Sequence, residues 1–204
     1  MFDTGEPARG AEIARALLAL HVESTAYLDG LPTAEFFETQ VTKWSPAEHA
    51  RHLHKSVRPL VKALALPRIL LRLRFGAHRG ASRKFSEVRD AYRARLALGY
   101  GANPYAPSPR DVPADADAWR RDIMRRWTAS VDELGSAIGR WNERALDRYR
   151  LPHPLLGALS VREMLLFTLY HNAHHVRLVA ARRSARVLDE PRRRQAQGWT
   201  SSKE

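Results

Sequence analysis

Residues 160–186 read SVREMLLFTLYHNAHHVRLVAARRSAR, a run that keeps a single period from end to end. Ser160 can cap a helix, and Glu163 three positions later completes a capping box. At 100° per residue from Thr168, Val161, Met164, Asn172, His175 and Val179 fall within about 40°, and His171 near 60°. These residues form one inward stripe carrying two histidines a helical turn apart. His174 comes out about 120° away and is expected to face solvent. The helix is expected to end near Arg186.

The same logic extends toward the N-terminus. In WSPAEHARHLHKS, residues 44–56, Ser45 is a cap, Pro46 takes the first helical position and Glu48 the third. That helix continues through Val57, Leu60, Val61 and Leu64, with Pro59 inside it and Pro67 closing or kinking it. From Asp115 to about Trp141, Trp119, Ile123, Trp127, Val131 or Leu134, and Ile138 mark a third long amphipathic helix. An earlier one is expected from about Ala8 to Leu28, with Ile13, Leu17, Leu20, Ser24 and Tyr27 on one stripe and Gly30 as a left-handed C-terminal residue. Nothing alternates with period two over a useful length. The fold class is therefore all-α, a four-helix bundle with a partly helical insertion, residues 67–114, between its second and third helices. Within the insertion a short helix is expected from Ser86 to Leu98, followed by the Pro- and Gly-rich loop from Gly99 to Ala114. Residues 1–188 are expected to form one bundle domain and residues 189–204 a flexible tail.

Composition narrows the chemistry. The 204 residues contain no cysteine, which removes disulfides, thiolate zinc sites, iron–sulfur clusters and cysteine nucleophiles together. Any metal must use His, Asp or Glu. The 34 basic against 22 acidic residues give a formal charge of +12, which raises nucleic acid as a partner. However, the basic residues recur on most helices, Arg120, Arg121, Arg125 and Arg126 among them, as solvated faces do. Direct nucleic-acid binding is accordingly the weakest of the readings. No apolar run reaches membrane-spanning length, and the N-terminus lacks a basic segment followed by an apolar one. The expected location is the cytoplasm, with no membrane partner.

Nine histidines are present. His171 and His175, an i, i+4 pair, can turn two imidazoles onto one ion, but a site needs a third ligand. The second helix offers His49, His52 and His54. Measured from Leu53, His49 lies about 40° off the apolar centre and His52 and His54 about 100° off on opposite flanks. Periodicity alone slightly favours His49. Two further polar residues could assist the site: Glu48, one turn before His52, by orienting its imidazole, and Asn172 by facing the pocket. The capping box gives Glu48 a structural role of its own. Trp119, Trp127 and Trp141 are expected to pack the core, while His21, His78 and His153 have no partner pattern.

Together, Trp44-Ser45-Pro46 with a histidine eight positions after the tryptophan, and HPLLGALSVREMLLFTLYHNAHHVRLV much later, resemble the DinB-like (YfiT-related) superfamily of metal-dependent enzymes. The resemblance implies His52, His171 and His175 as the metal ligands, with His49 the alternative for the first. It also extends to the approach into the last helix: His153, Pro154, Gly157, Ser160 and Glu163. Characterised members of that superfamily include thiol-dependent S-transferases and isomerases. Three imidazoles suit Zn or Ni and leave coordination positions open for water or substrate. Such an ion could lower the pKa of water or activate a thiolate. The function expected is a metal-dependent hydrolase or a transferase using a low-molecular-weight thiol, acting on a small molecule, with a homodimer as one possible assembly. The alternative is a non-catalytic metal- or ligand-binding stress-response module.

Overall fold

A computed structural model describes residues 1–39, 43–101, 105–108 and 110–200, with side chains to Arg186 and at Leu188. Four long helices build the bundle: α1 (Gly10–Asp29), α3 (Pro46–Ala65), α6 (Ala116–Ile138) and α8 (Val161–Thr200). α3 packs on α6, α6 on α1, and α8 on both α1 and α3. The stripes anticipated from periodicity are the ones that meet: Ile13, Leu17, Leu20, Leu53, Val57, Trp127, Val131 and Leu134 are all 0–2% exposed. Trp127 and Trp141 are buried, and their indole N–H groups donate to Asn172 Oδ1 and the Leu64 carbonyl.

Both capping boxes form. Ser45 Oγ accepts from Glu48 N–H while Glu48 Oε2 accepts from Ser45 N–H at 2.8 Å, and Ser160 and Glu163 repeat the exchange at the start of α8. Glu163 is tied further, its Oε1 accepting from both the backbone N–H and the Nε of Arg83. These caps fix where each helix begins and hence the angular position of every histidine on it. Replacing Ser45 by Ala removes one such bond and is expected to cost about 1 kcal/mol, read from urea midpoints.

The insertion is more ordered than its composition suggests. α4 (Arg68–Phe75) buries Leu71, and α5 (Phe85–Ala97) buries Phe85, Val88 and Tyr92 against α8. Two short helices, α2 (Thr33–Phe37) and α7 (Glu143–Arg148), complete the helical set. Residues 102–104 and 109 of the expected loop and 201–204 of the expected tail lie outside the described residues.

Three expectations need correction. A two-stranded antiparallel hairpin, β1 (Arg150–His153) and β2 (Gly157–Ser160), interrupts the otherwise helical chain. Four-residue strands are too short to announce a period of two. Gly30 adopts φ −75° and ψ −5°, a right-handed conformation. Its N–H still donates to the Ala26 carbonyl, and Arg120 of α6 adds bonds to the carbonyls of Leu28, Asp29 and, just past the helix, Leu31. Arg120 is thus a helix cap in trans rather than part of a solvated face. Finally, α8 runs to Thr200 rather than stopping near Arg186, although Pro191 and Gly198 fall within the added turns.

Candidate metal centre

α3 and α8 lie side by side, so the histidines that each cap places on the inner face meet between them. His52 Nε2 is 3.1 Å from His171 Nε2, and His171 Nε2 is 3.0 Å from His175 Nε2. The three rings can each offer one nitrogen within 4.8 Å of the others. They are 1%, 4% and 7% exposed.

The hydrogen-bond partners fix protonation on His52. Its Nδ1 lies 2.8 Å from the Tyr105 carbonyl oxygen, which can only accept, so Nδ1 carries the proton and Nε2 presents a lone pair. A backbone carbonyl holding the far nitrogen of an imidazole is the usual way that a histidine ligand is oriented. Burial lowers the pKa of all three rings, and for His171 and His175 the neighbouring imidazoles add to the effect and hold it well below the ordinary value. The rings are neutral near pH 7, so each keeps one lone pair, on whichever nitrogen its hydrogen bonds leave without a proton.

The spacing itself tests whether an ion fits. Two imidazole nitrogens sharing an ion at about 2.0–2.1 Å stand roughly 2.9–3.4 Å apart for angles between octahedral and tetrahedral. The observed 3.0 and 3.1 Å match that separation. Without a cation or proton between them, clustered lone pairs in a buried site would repel one another. Residues and geometry therefore suit a divalent ion.

His49 stands outside the three-histidine group. Its Nδ1 is 2.8 Å from His175 Nδ1, on the side of that ring away from His171, and its Nε2 is 3.4 Å from Arg182 Nη1. Burial, then the Arg182 charge, pushes its pKa down to about 3. Arg182 can only donate, so His49 Nε2 accepts, its single proton sits on Nδ1, and that Nδ1–H donates to His175 Nδ1; the proton of neutral His175 then lies on Nε2, where an arriving ion would displace it.

The remaining polar candidates are occupied elsewhere. Glu48 is consumed in its capping box, and Asn172 accepts from Trp127 and donates to the Thr168 carbonyl. His54, expected at the surface, is half-buried beside α6, where burial lowers its pKa. His174, expected in solvent, is half-buried too, because Tyr92 of α5 covers it at 6.2 Å, beside Tyr170 of its own helix at 6.0 Å. His21 is structural, its Nε2 3.0 Å from Thr128 Oγ1.

One side of the cluster is closed by Trp44, its ring nearly parallel to that of His175 at 5.9 Å. The other side opens into a cavity of about 220 Å³ that His52 and His171 border. Leu60, Phe75, Leu151, Leu155, Met164 and Phe167 supply much of its wall. Among the described lining residues there is no Asp, Glu, Lys or Arg. Its polar lining includes Tyr92, whose pKa burial raises to about 12, and His153. Sequence reasoning missed both: Tyr92 sits in the insertion, and His153 carries no helical period. Tyr105, from the Pro-rich loop, also borders the cavity, and its neighbours are held down by α3, where Arg51 and Lys55 donate to the carbonyls of Ser108 and Ala106.

A helical bundle that buries three converging neutral imidazoles at the edge of an uncharged cavity defines a class: an α-helical protein with a site able to hold a metal ion. The sequence model of the DinB superfamily matches residues 16–179, from α1 past His175, and the chain belongs to that superfamily. No curated protein and no solved structure matches the chain. Among the described residues no helix is long and apolar enough to cross a membrane.

Proposed function

We propose that this protein is a metal-dependent enzyme that transfers a low-molecular-weight thiol onto an uncharged small molecule, with zinc or nickel held by His52, His171 and His175. The observation that carries the reading is the convergence of three neutral imidazole nitrogens at the border of an apolar cavity. When bound, the ion supplies Lewis acidity that lowers the pKa of a coordinated thiol or water toward neutrality. The Tyr105 carbonyl orients the His52 imidazole. Leu60, Phe75, Leu155 and Phe167 exclude water from the reacting partner.

Thiol transfer is preferred to hydrolysis because among the described residues no carboxylate lines the cavity to act as a general base for water, whereas a thiolate is already the nucleophile. In the transfer the carbon–sulfur bond forms as the bond from carbon to the leaving group breaks, and the thiol proton departs with that group. Elemental analysis of the purified protein, followed by assays pairing glutathione, cysteine and other small thiols with uncharged electrophiles and with esters, tests the proposal. One zinc or nickel per chain with thiol-dependent product formation is the expected outcome. Ester cleavage without thiol would point to a hydrolase, and bound metal with no turnover to a non-catalytic binding module; either overturns the transferase reading.

A further inference from the structure

β1 and β2 are joined by a three-residue connection, residues 154–156, and the return is made by Gly157 at φ 72°, where only glycine is at ease. His153 is the last residue before that connection. Its Nδ1 lies 3.1 Å from the backbone nitrogens of both Leu155 and Leu156. Both are N–H donors, so Nδ1 accepts and carries no proton. A neutral imidazole has a single N–H, which the turn thus places on Nε2. Burial pushes the ring's pKa down to about 4, keeping it neutral in ordinary buffers.

Nε2 has no hydrogen-bond partner among the described residues, and it is not sealed in protein as the unpartnered Nδ1 atoms of His21, His54 and His78 are. The ring borders the same cavity as His52 and His171, with Phe167 packed across it at a centroid distance of 4.2 Å. A turn that needed only a cap would be served by Asn or Asp, which use the same acceptor geometry without a ring reaching further. What the imidazole adds is a donor on its far side.

We infer that His153 Nε2–H is a substrate-positioning hydrogen-bond donor, and that the cavity selects an uncharged, mainly apolar molecule bearing one acceptor such as a carbonyl oxygen. This deepens the proposed function and rests on its premise that substrate enters this cavity. A carboxylate would find no cation in the described wall and an ammonium no anion, so a charged ligand would lose its hydration without compensation. The volume of about 220 Å³ lies below the roughly 300–1,000 Å³ of pockets for drug-sized ligands, which points to a compact molecule.

The test uses the full-length, metal-free protein with ¹⁵N-labelled histidine, so that neither turnover nor metal enters. The probes are acetophenone, isopropylbenzene (a similar shape without the acceptor) and benzoate. Expected are an unprotonated Nδ1 and a protonated Nε2 on His153, saturable binding of acetophenone that moves the Nε2–H resonance, and binding about five- to tenfold weaker for the other two, the worth of one neutral hydrogen bond. His153→Phe should erase the preference of acetophenone over isopropylbenzene, and His153→Gln should restore part of it. If His153→Phe fails to fold, the wild-type comparison decides alone. A proton on Nδ1, equal affinity for acetophenone and isopropylbenzene, or no saturable acetophenone binding overturns the inference. Donor-dependent binding in a protein that shows no thiol transfer would retire the proposed reaction and leave this site standing.

Discussion

His171→Ala is expected to empty the metal centre. His171 Nε2 is the atom that both other rings approach, at 3.1 and 3.0 Å, so its loss removes the nitrogen common to both short contacts. Losing an outer partner of a ligand costs about 10- to 100-fold in affinity, and losing a ligand from a set of three must exceed that. Zinc content should fall from one ion per chain to background, with affinity down by more than about 100-fold. The fold should persist, because beyond its imidazole neighbours the ring gives up only its contacts with Phe167 and Tyr92, and helical circular dichroism checks it. Retention of one tightly held ion by a folded His171→Ala protein would remove His171 from the site.

The second large effect is acid lability of the metal-free protein. Burial lowers the pKa of His21 to about 4 and, aided by Arg182, that of His49 to about 3, while both return to about 6.5 on unfolding. Below pH 6.5 the unfolded chain therefore binds protons that the folded chain refuses, and stability falls as pH falls. The stabilisation is complete above the unfolded value and is lost progressively from about 6.5 down toward 4. Each such group contributes a slope of up to about 1.4 kcal/mol per pH unit, so these two alone amount to a few kcal/mol between pH 7 and 5. His153, His171 and His175, all shifted in the same direction, steepen the slope. Urea midpoints measured across that range in the presence of a chelator should drop steadily. A flat profile from pH 7 to 5 would mean that these rings are not buried as neutral groups.

Much of this arrangement was legible in the sequence because it rests on local rules. Ser45 with Glu48 and Ser160 with Glu163 announce where α3 and α8 begin, and a defined start plus a 3.6-residue period places His171 and His175 inward. The choice between His49 and His52 was not decided by that rule, since an angle on one helix does not say where the neighbouring axis lies. In the structure α8 touches both: His52 stands 3.1 Å from His171 within the three-histidine cluster, while His49 lies 2.8 Å from His175 on its Nδ1 side. Features that depend on contact across the fold left no local trace. Gly30 looked like a left-handed cap because Arg120, 90 positions later, could not be foreseen as a second donor to the carbonyls at the end of α1. His174 and His54 looked exposed because their covering helices, α5 and α6, are remote in sequence. His153 acquires its role from a hairpin too short to carry a period.

The proposition beneath all of this is that three imidazoles share one ion. A crystal structure of the zinc-loaded protein, with anomalous data collected on both sides of the zinc absorption edge, addresses it most directly. The account predicts one strong peak between α3 and α8, about 2.0–2.1 Å from the Nε2 atoms of His52, His171 and His175. No peak there, or zinc bound by other residues, would contradict it.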